Sequence, residues 1–134
     1  MALSTNTKTE ILNDGYVVSI LSASTDVFYV GALVNIDANG DCVVAVDTAG
    51  TFFAGIVQEY IEATATLKVR IIRNAVAWIA HSGAALTDIG TDAFATGDDT
   101  IATSASNVKR CGIVVDADVS GGRLLIDFTR GNAA

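Results

Sequence analysis

The chain has no proline, one histidine, one tryptophan, two cysteines and few basic residues, eight Lys and Arg against fifteen Asp and Glu. Each shortage removes a class of function. Two cysteines make no disulfide framework. One His and two distant Cys make no transition-metal site of the zinc type. A net charge of -7 repels phosphate backbones, so direct nucleic-acid binding is not expected. No apolar run reaches about 18 uninterrupted residues, so no membrane-spanning helix is expected. Met1 to Asp14 is polar and rich in Thr, Ser and Asn; it lacks the basic start and apolar core of a signal peptide. The default location is therefore a cytoplasm, or a particle assembled in one.

What is present is Val, Ile, Ala, Thr and 12 Gly, with 51% of residues hydrophobic in a chain of 134. That length fits one domain with a sizeable core. The mix favours strands and tight turns over long helices. Runs of about five residues, separated by turn signals every 8 to 12 residues, predict an all-β small barrel or sandwich. The strongest turn is Asn39-Gly40-Asp41 between Leu33 to Ile36 and Cys42 to Val46, since both Asn and Gly accept positive φ. Leu67, Val69 and Ile71 alternate with Lys68 and Arg70, the pattern of a half-buried strand. At most one short helix is expected, near 83–89, stopped by Gly90. Residues 1–14 read as an arm and 15–130 as a single β domain.

Within that domain a pattern occurs twice. Gly40-Asp41 precedes Gly55-Ile56-Val57, and Gly97-Asp98 precedes Gly112-Ile113-Val114, 57 residues further on. The same shift lays Leu67, Val69, Ile71 and Arg73 on Leu124, Ile126, Phe128 and Arg130, with 8 identities over 34 positions. Two related β units, about 31–73 and 90–130, are expected. Val69 and Ile126 should then hold matching buried positions. The alternative is two ordinary hairpins with convergent turn chemistry.

No constellation of residues points to catalysis. A nucleophilic triad needs a base hydrogen-bonded to a nucleophile and oriented by an acid. His81 has only Ser82 beside it, which points the opposite way on a strand. Asp37-Ala38-Asn39-Gly40-Asp41 fails as a calcium loop: the sixth position is Cys42 instead of Gly, and the twelfth is Thr48 instead of an acid. No Gly-rich segment between a strand and a long helix is followed by Lys-Ser/Thr, so there is no phosphate loop. No enzyme activity, cofactor or metal is expected. Lys68 and Arg70 read as a solvated face or as a contact for an acidic partner. Trp78 reads as core or as a partner contact.

With turns and strands placed, the chain resembles the capsid decoration (cement) proteins of tailed bacteriophages. The resemblance rests on a polar N-terminal arm, Gly31-Ala32-Leu33-Val34, the Asn39-Gly40-Asp41 turn and Phe53-Ala54-Gly55-Ile56-Val57. Val76-Ala77-Trp78-Ile79-Ala80 with Ser82-Gly83 and Gly90 follows, in a proline-free acidic chain. It covers about Thr9 to Thr129 and includes no diagnostic motif. It implies a non-enzymatic virion protein on the outer surface of the capsid, assembled in the host cytoplasm. The implied partners are the major capsid protein and two further copies of the chain, as a homotrimer. Candidate contacts are Leu3, Ile11 and Leu12 in the arm, with Lys68, Arg70, Trp78 and His81. Rival readings are another phage structural part, such as a head-fibre base or tail protein, and a small β binding module.

Overall fold

The computed structural model describes residues 10–13, 15–22, 26–62 and 67–130. It is all-β. The strands are β1 (Glu10–Asn13), β2 (Tyr16–Leu21), β3 (Val27–Phe28), β4 (Leu33–Ile36), β5 (Cys42–Val44), β6 (Phe52–Val57) and β7 (Ile61–Glu62). They continue with β8 (Lys68–Arg73), β9 (Val76–Ala80), β10 (Asp92–Gly97), β11 (Thr100–Ala102), β12 (Gly112–Asp118) and β13 (Arg123–Asp127). The expected short helix is one 3-10 turn, Leu86–Asp88, and a second follows β13 at Phe128–Arg130.

Three sheets result: β1-β9-β13-β12-β10-β11, β2-β8-β6-β4-β5, and the ribbon β3-β7. Among the described residues no sheet closes into a barrel. Instead, the two large sheets share a core. Leu33, Ala45, Phe53 and Ile56 join Ala77, Ile79, Val114, Leu124 and Ile126 of the six-stranded sheet in one buried cluster, where Phe53 stacks on Phe128 with ring centroids 4.9 Å apart. A second cluster lies on the other side of the five-stranded sheet, under the ribbon. It contains Phe28, Val34, Ile36, Cys42, Ala54, Val57, Val69 and Ile71, with Ile61 packed against it. Each fully buried side chain of this size contributes about 1.5–3 kcal/mol.

The two large sheets have the same connectivity and the same ladder register, but not at the constant shift that the sequence predicts. A shift of 59 residues carries β2, β4 and β5 onto β9, β10 and β11. The shift falls to 57 between β6 and β12, and to 55 between β8 and β13. Under these shifts each ladder of the five-stranded sheet has its counterpart in the six-stranded one. Val18–Ile71 becomes Ala77–Ile126, Ile36–Cys42 becomes Ala95–Ile101, Val34–Gly55 becomes Ala93–Gly112, and Ile56–Ile72 becomes Ile113–Asp127. Bonds outside the ladders follow as well. Gly31 N–H donates to Val57 O (3.0 Å) as Gly90 N–H does to Val114 O (2.7 Å). Ser22 N–H donates to Leu67 O as His81 N–H does to Gly122 O. Gly15 at φ 58 corresponds to Asn74 at φ 57.

Several expectations are corrected by this. The units begin at Gly15 and Asn74, taking in β2 and β9, rather than near 31 and 90. Val69 matches Leu124, and Ile71 matches Ile126. All four are buried, because a shift of two residues keeps the same face inward. Gly97 lies within β10, and the turn falls on Asp98-Asp99, so Gly97 is not the counterpart of Gly40, which sits at φ 84 in the β4–β5 loop. Leu67 precedes β8 and is 42% exposed instead of joining Val69 and Ile71.

Gly55 and Gly112 are the counterparts whose chemistry is plainest. A Cβ at either would fall inside van der Waals contact of the facing carbonyl, Ile72 O or Asp127 O. The repeated glycine is therefore a point of close strand approach.

Candidate functional site

The candidate contact residues occupy different surfaces. Leu3 lies outside the described residues. Ile11 and Leu12 fall in β1, the last part of the expected arm, which forms an edge strand: Glu10 faces Trp78, Ile11 faces Ala77, and Asn13 faces Val76. Lys68 and Arg70 are exposed on β8, opposite Leu21 and Ser19 of β2. Arg70 reaches Glu59 at 3.8 Å across an exposed surface, a pair of little energetic consequence.

Trp78 is half-buried on the outward side of β9, with the Arg123 guanidinium 4.7 Å from its ring centroid. Arg123 Nε also donates to Asp118 Oδ2 at 3.1 Å. The N–H of Gly121, followed by Arg123, holds the Asp118 carboxyl below its ordinary value. This joins three strands in one row: β9 supplies the ring, β13 the cation and β12 the anion. A cation held between an aromatic face and a carboxylate is already engaged.

His81 has a structural engagement that its sequence context did not reveal. Its Nδ1–H donates to Ile101 O at 2.7 Å. That bond ties the end of β9 to β11. In the other sheet the counterpart pair, Ser22 and Cys42, forms a backbone bridge at the same place. Each sheet thus curls until two of its strands touch at one point, and in the second unit an imidazole makes the contact.

Asp47 was also missed in the sequence. Its carboxylate accepts from the N–H groups of Ser106 (3.1 Å), Asn107 (2.9 Å) and Val108 (2.9 Å), which clamps the segment after β5 to the loop between β11 and β12. The N–H of Val108, then that of Ser106, lowers its pKa. With Leu33 N–H donating to Asp98 O at 2.8 Å, this is the polar tie between the units. An Asp preceding a turn gives no sign of a partner 60 residues away, so no local signal marked it.

Both cysteines are free and buried. Burial pushes both thiols up to about 12, with Asp26 and Asp37 adding to the effect at Cys42. At neutral pH they are thiols rather than thiolates, and a thiol is a poor nucleophile. Their structural counterparts are Ile101 for Cys42 and Ala54 for Cys111, small or apolar core positions. Among the described residues no three His, Cys, Asp or Glu side chains converge as metal ligands, and no helix is long and apolar enough to cross a membrane. One open depression, of about 240 Å³, is lined by Gly50, Thr51, Phe52, Asn107 and Lys109. It brings together no acid–base pair. Neither the known protein-family models nor the curated proteins contain a match to this chain.

Proposed function

We propose that this protein is a structural component of a phage virion that binds the outer surface of the capsid and stabilises it, as a trimer. The observation that carries this reading is where the chemically capable side chains are used. His81 tethers β9 to β11, Arg123 is held by Trp78 and Asp118, Asp47 clamps the two units, and both thiols are buried. What remains for function is a small β body with exposed edges and a polar N-terminal segment. Many copies of such a body on one lattice convert modest contacts into a large total stabilisation.

The test is co-sedimentation of the purified chain with expanded heads of the virus that encodes it, with heat release of packaged DNA as the functional readout. Binding that raises the temperature of release supports the proposal; no binding to expanded heads overturns it. Because Glu10–Asn13 form a strand in the sheet, the informative truncation removes residues 2–9 only. It should preserve the fold and lower capsid occupancy; unchanged occupancy would sink the role of the segment.

A further inference from the structure

The repeat exposes an asymmetry at one edge. Strands β2 and β9 are counterparts, each at the same place in its sheet. The outer side of β9 is covered by β1 along Val76–Trp78. Among the described residues no strand covers the outer side of β2, whose matching stretch is Val17–Ser19. Edge strands normally carry protection: charge, proline, shortness or a bulge. Strand β2 reads Tyr-Val-Val-Ser-Ile-Leu, six residues with no charge and no proline. The other free edges are three residues long or less, or carry Glu10. Strand β5 has a further stop, since Asp26 Oδ2 accepts from Val44 N–H. Tyr16 (48% exposed), Val17 (43%) and Leu21 (45%) leave apolar surface along β2.

We propose that this edge is a self-association site, where β2 pairs antiparallel with β2 of a second copy across a two-fold axis. Three observations select a second copy as the occupant. Facing residues of an antiparallel pair share a face, so a two-fold must fall on a residue. Centred on Val18, it sets Val17 against Ser19 of the other copy and Tyr16 against Ile20, inner positions on inner and outer on outer. Secondly, the usable edge ends at Ser22, which bridges Cys42, just as the edge of β9 ends at His81. A pair centred on Val18 stops short of that bridge. Thirdly, a chain of charge -7 repels its own copies over most of its surface. Here β2 is neutral, and its neighbour β8 supplies Lys68, Arg70 and Arg73, so β2 and the strand beside it add no acidic charge to this edge. The contact joins two five-stranded sheets into one of ten strands, and a self-complementary two-fold of this kind is the commonest oligomer geometry. It does not rest on the capsid-binding reading, and it is a separate contact from the one that would form a trimer, because an isologous two-fold closes at two copies.

The experiment is sedimentation equilibrium of the full chain over a wide concentration range, with hydrogen exchange at the amides of Val17 and Ser19, which alternate with those bonded to β8. The wild type should self-associate reversibly, with exchange slowing as association rises. Val17→Lys, an exposed change outside both cores, should weaken association by at least about tenfold, because like charges then flank the axis. Val17→Glu should do the same, and an equimolar mixture of the two variants should restore association. Circular dichroism and thermal melts establish that both variants fold. A wild type that is monomeric at every concentration overturns the proposal. So does slow exchange at Val17 and Ser19 that is independent of concentration, because the chain then covers its own edge. Association that survives both variants places the contact elsewhere and overturns it as well.

Discussion

In the first unit the inward positions of β2 and β4 hold Val18, Val34 and Ile36; the counterparts in the second unit are Ala77, Ala93 and Ala95. The cluster under the ribbon is filled entirely by residues of its own unit, from Val18 to Ile71. The cluster on the six-stranded sheet, with alanine at these three positions, includes Leu33, Ala45, Phe53 and Ile56 from the first unit. Register and connectivity are therefore repeated more closely than core volume. Ladders are held by backbone hydrogen bonds, which any residue but proline can make. Core packing depends on the summed volume of a neighbourhood, and a neighbouring unit can supply part of it. The units accordingly stand in an unequal relation, in which the second leans on the first.

The sharpest way to break the comparison is a charge at matched buried positions. Ile71→Asp and Ile126→Asp should each cost about 4 kcal/mol or more in urea unfolding, since both sites are fully buried within hydrophobic clusters. If one is tolerated, the matching of the units is wrong. Phe53→Ala tests the inequality. It should cost about 3–4 kcal/mol, and hydrogen exchange should accelerate in β12 and β13 as well as in β6. Acceleration confined to β6 would mean that the second unit does not lean on the first.

Next in size are the two close approaches. Gly55→Ala and Gly112→Ala should each destabilise by about 1–3 kcal/mol, because each methyl meets a facing carbonyl. Equal costs support their equivalence, and a neutral result at either removes it.

The Asp47 clamp predicts a pH signature. Its pKa is lowered from 3.8 in the folded chain. Its contribution is thus present above that unfolded value and is lost as pH falls through the lower folded value. Asp47→Asn should lower the melting temperature at neutral pH and leave it nearly unchanged in strong acid. A constant difference at both would assign the effect to something other than the charge. The smallest effect is expected at Asn74→Gly. Asn tolerates the left-handed conformation that this position shares with Gly15, so stability should change by less than about 1 kcal/mol.

Much of the first unit was legible in the sequence, and for local reasons. Asn39-Gly40-Asp41 marks the β4–β5 turn, the alternation around Val69 and Ile71 marks the buried face of β8, and Gly90 ends the short helical turn. The strand β7 was not legible, since two residues carry no period. Of the candidate contacts, Trp78 and His81 stood out as the sole residues of their kind. Their partners, Arg123 and Ile101, lie 45 and 20 positions away, beyond the reach of any local pattern. For the same reason Asp47 gave no signal.

The amino-acid sequence by itself determined that this is an all-β chain, where most of its turns fall and which side of most strands faces inward. It also showed that something repeats. Only the tertiary structure decided how. The shift between units passes from 59 to 57 to 55, and each step is two residues, the smallest slip that leaves side-chain alternation unchanged and so escapes a sequence pattern. The tertiary structure also decided the edges. Asn13-Asp14-Gly15-Tyr16 has the composition of a β-hairpin turn, and such a hairpin would have laid β1 on β2. Instead Gly15 packs against the backbone of Arg73, Asn74 and Ala75, where the chain passes from one sheet to the other. Strand β1 therefore lies on β9, and the edge of β2 is left for a second copy.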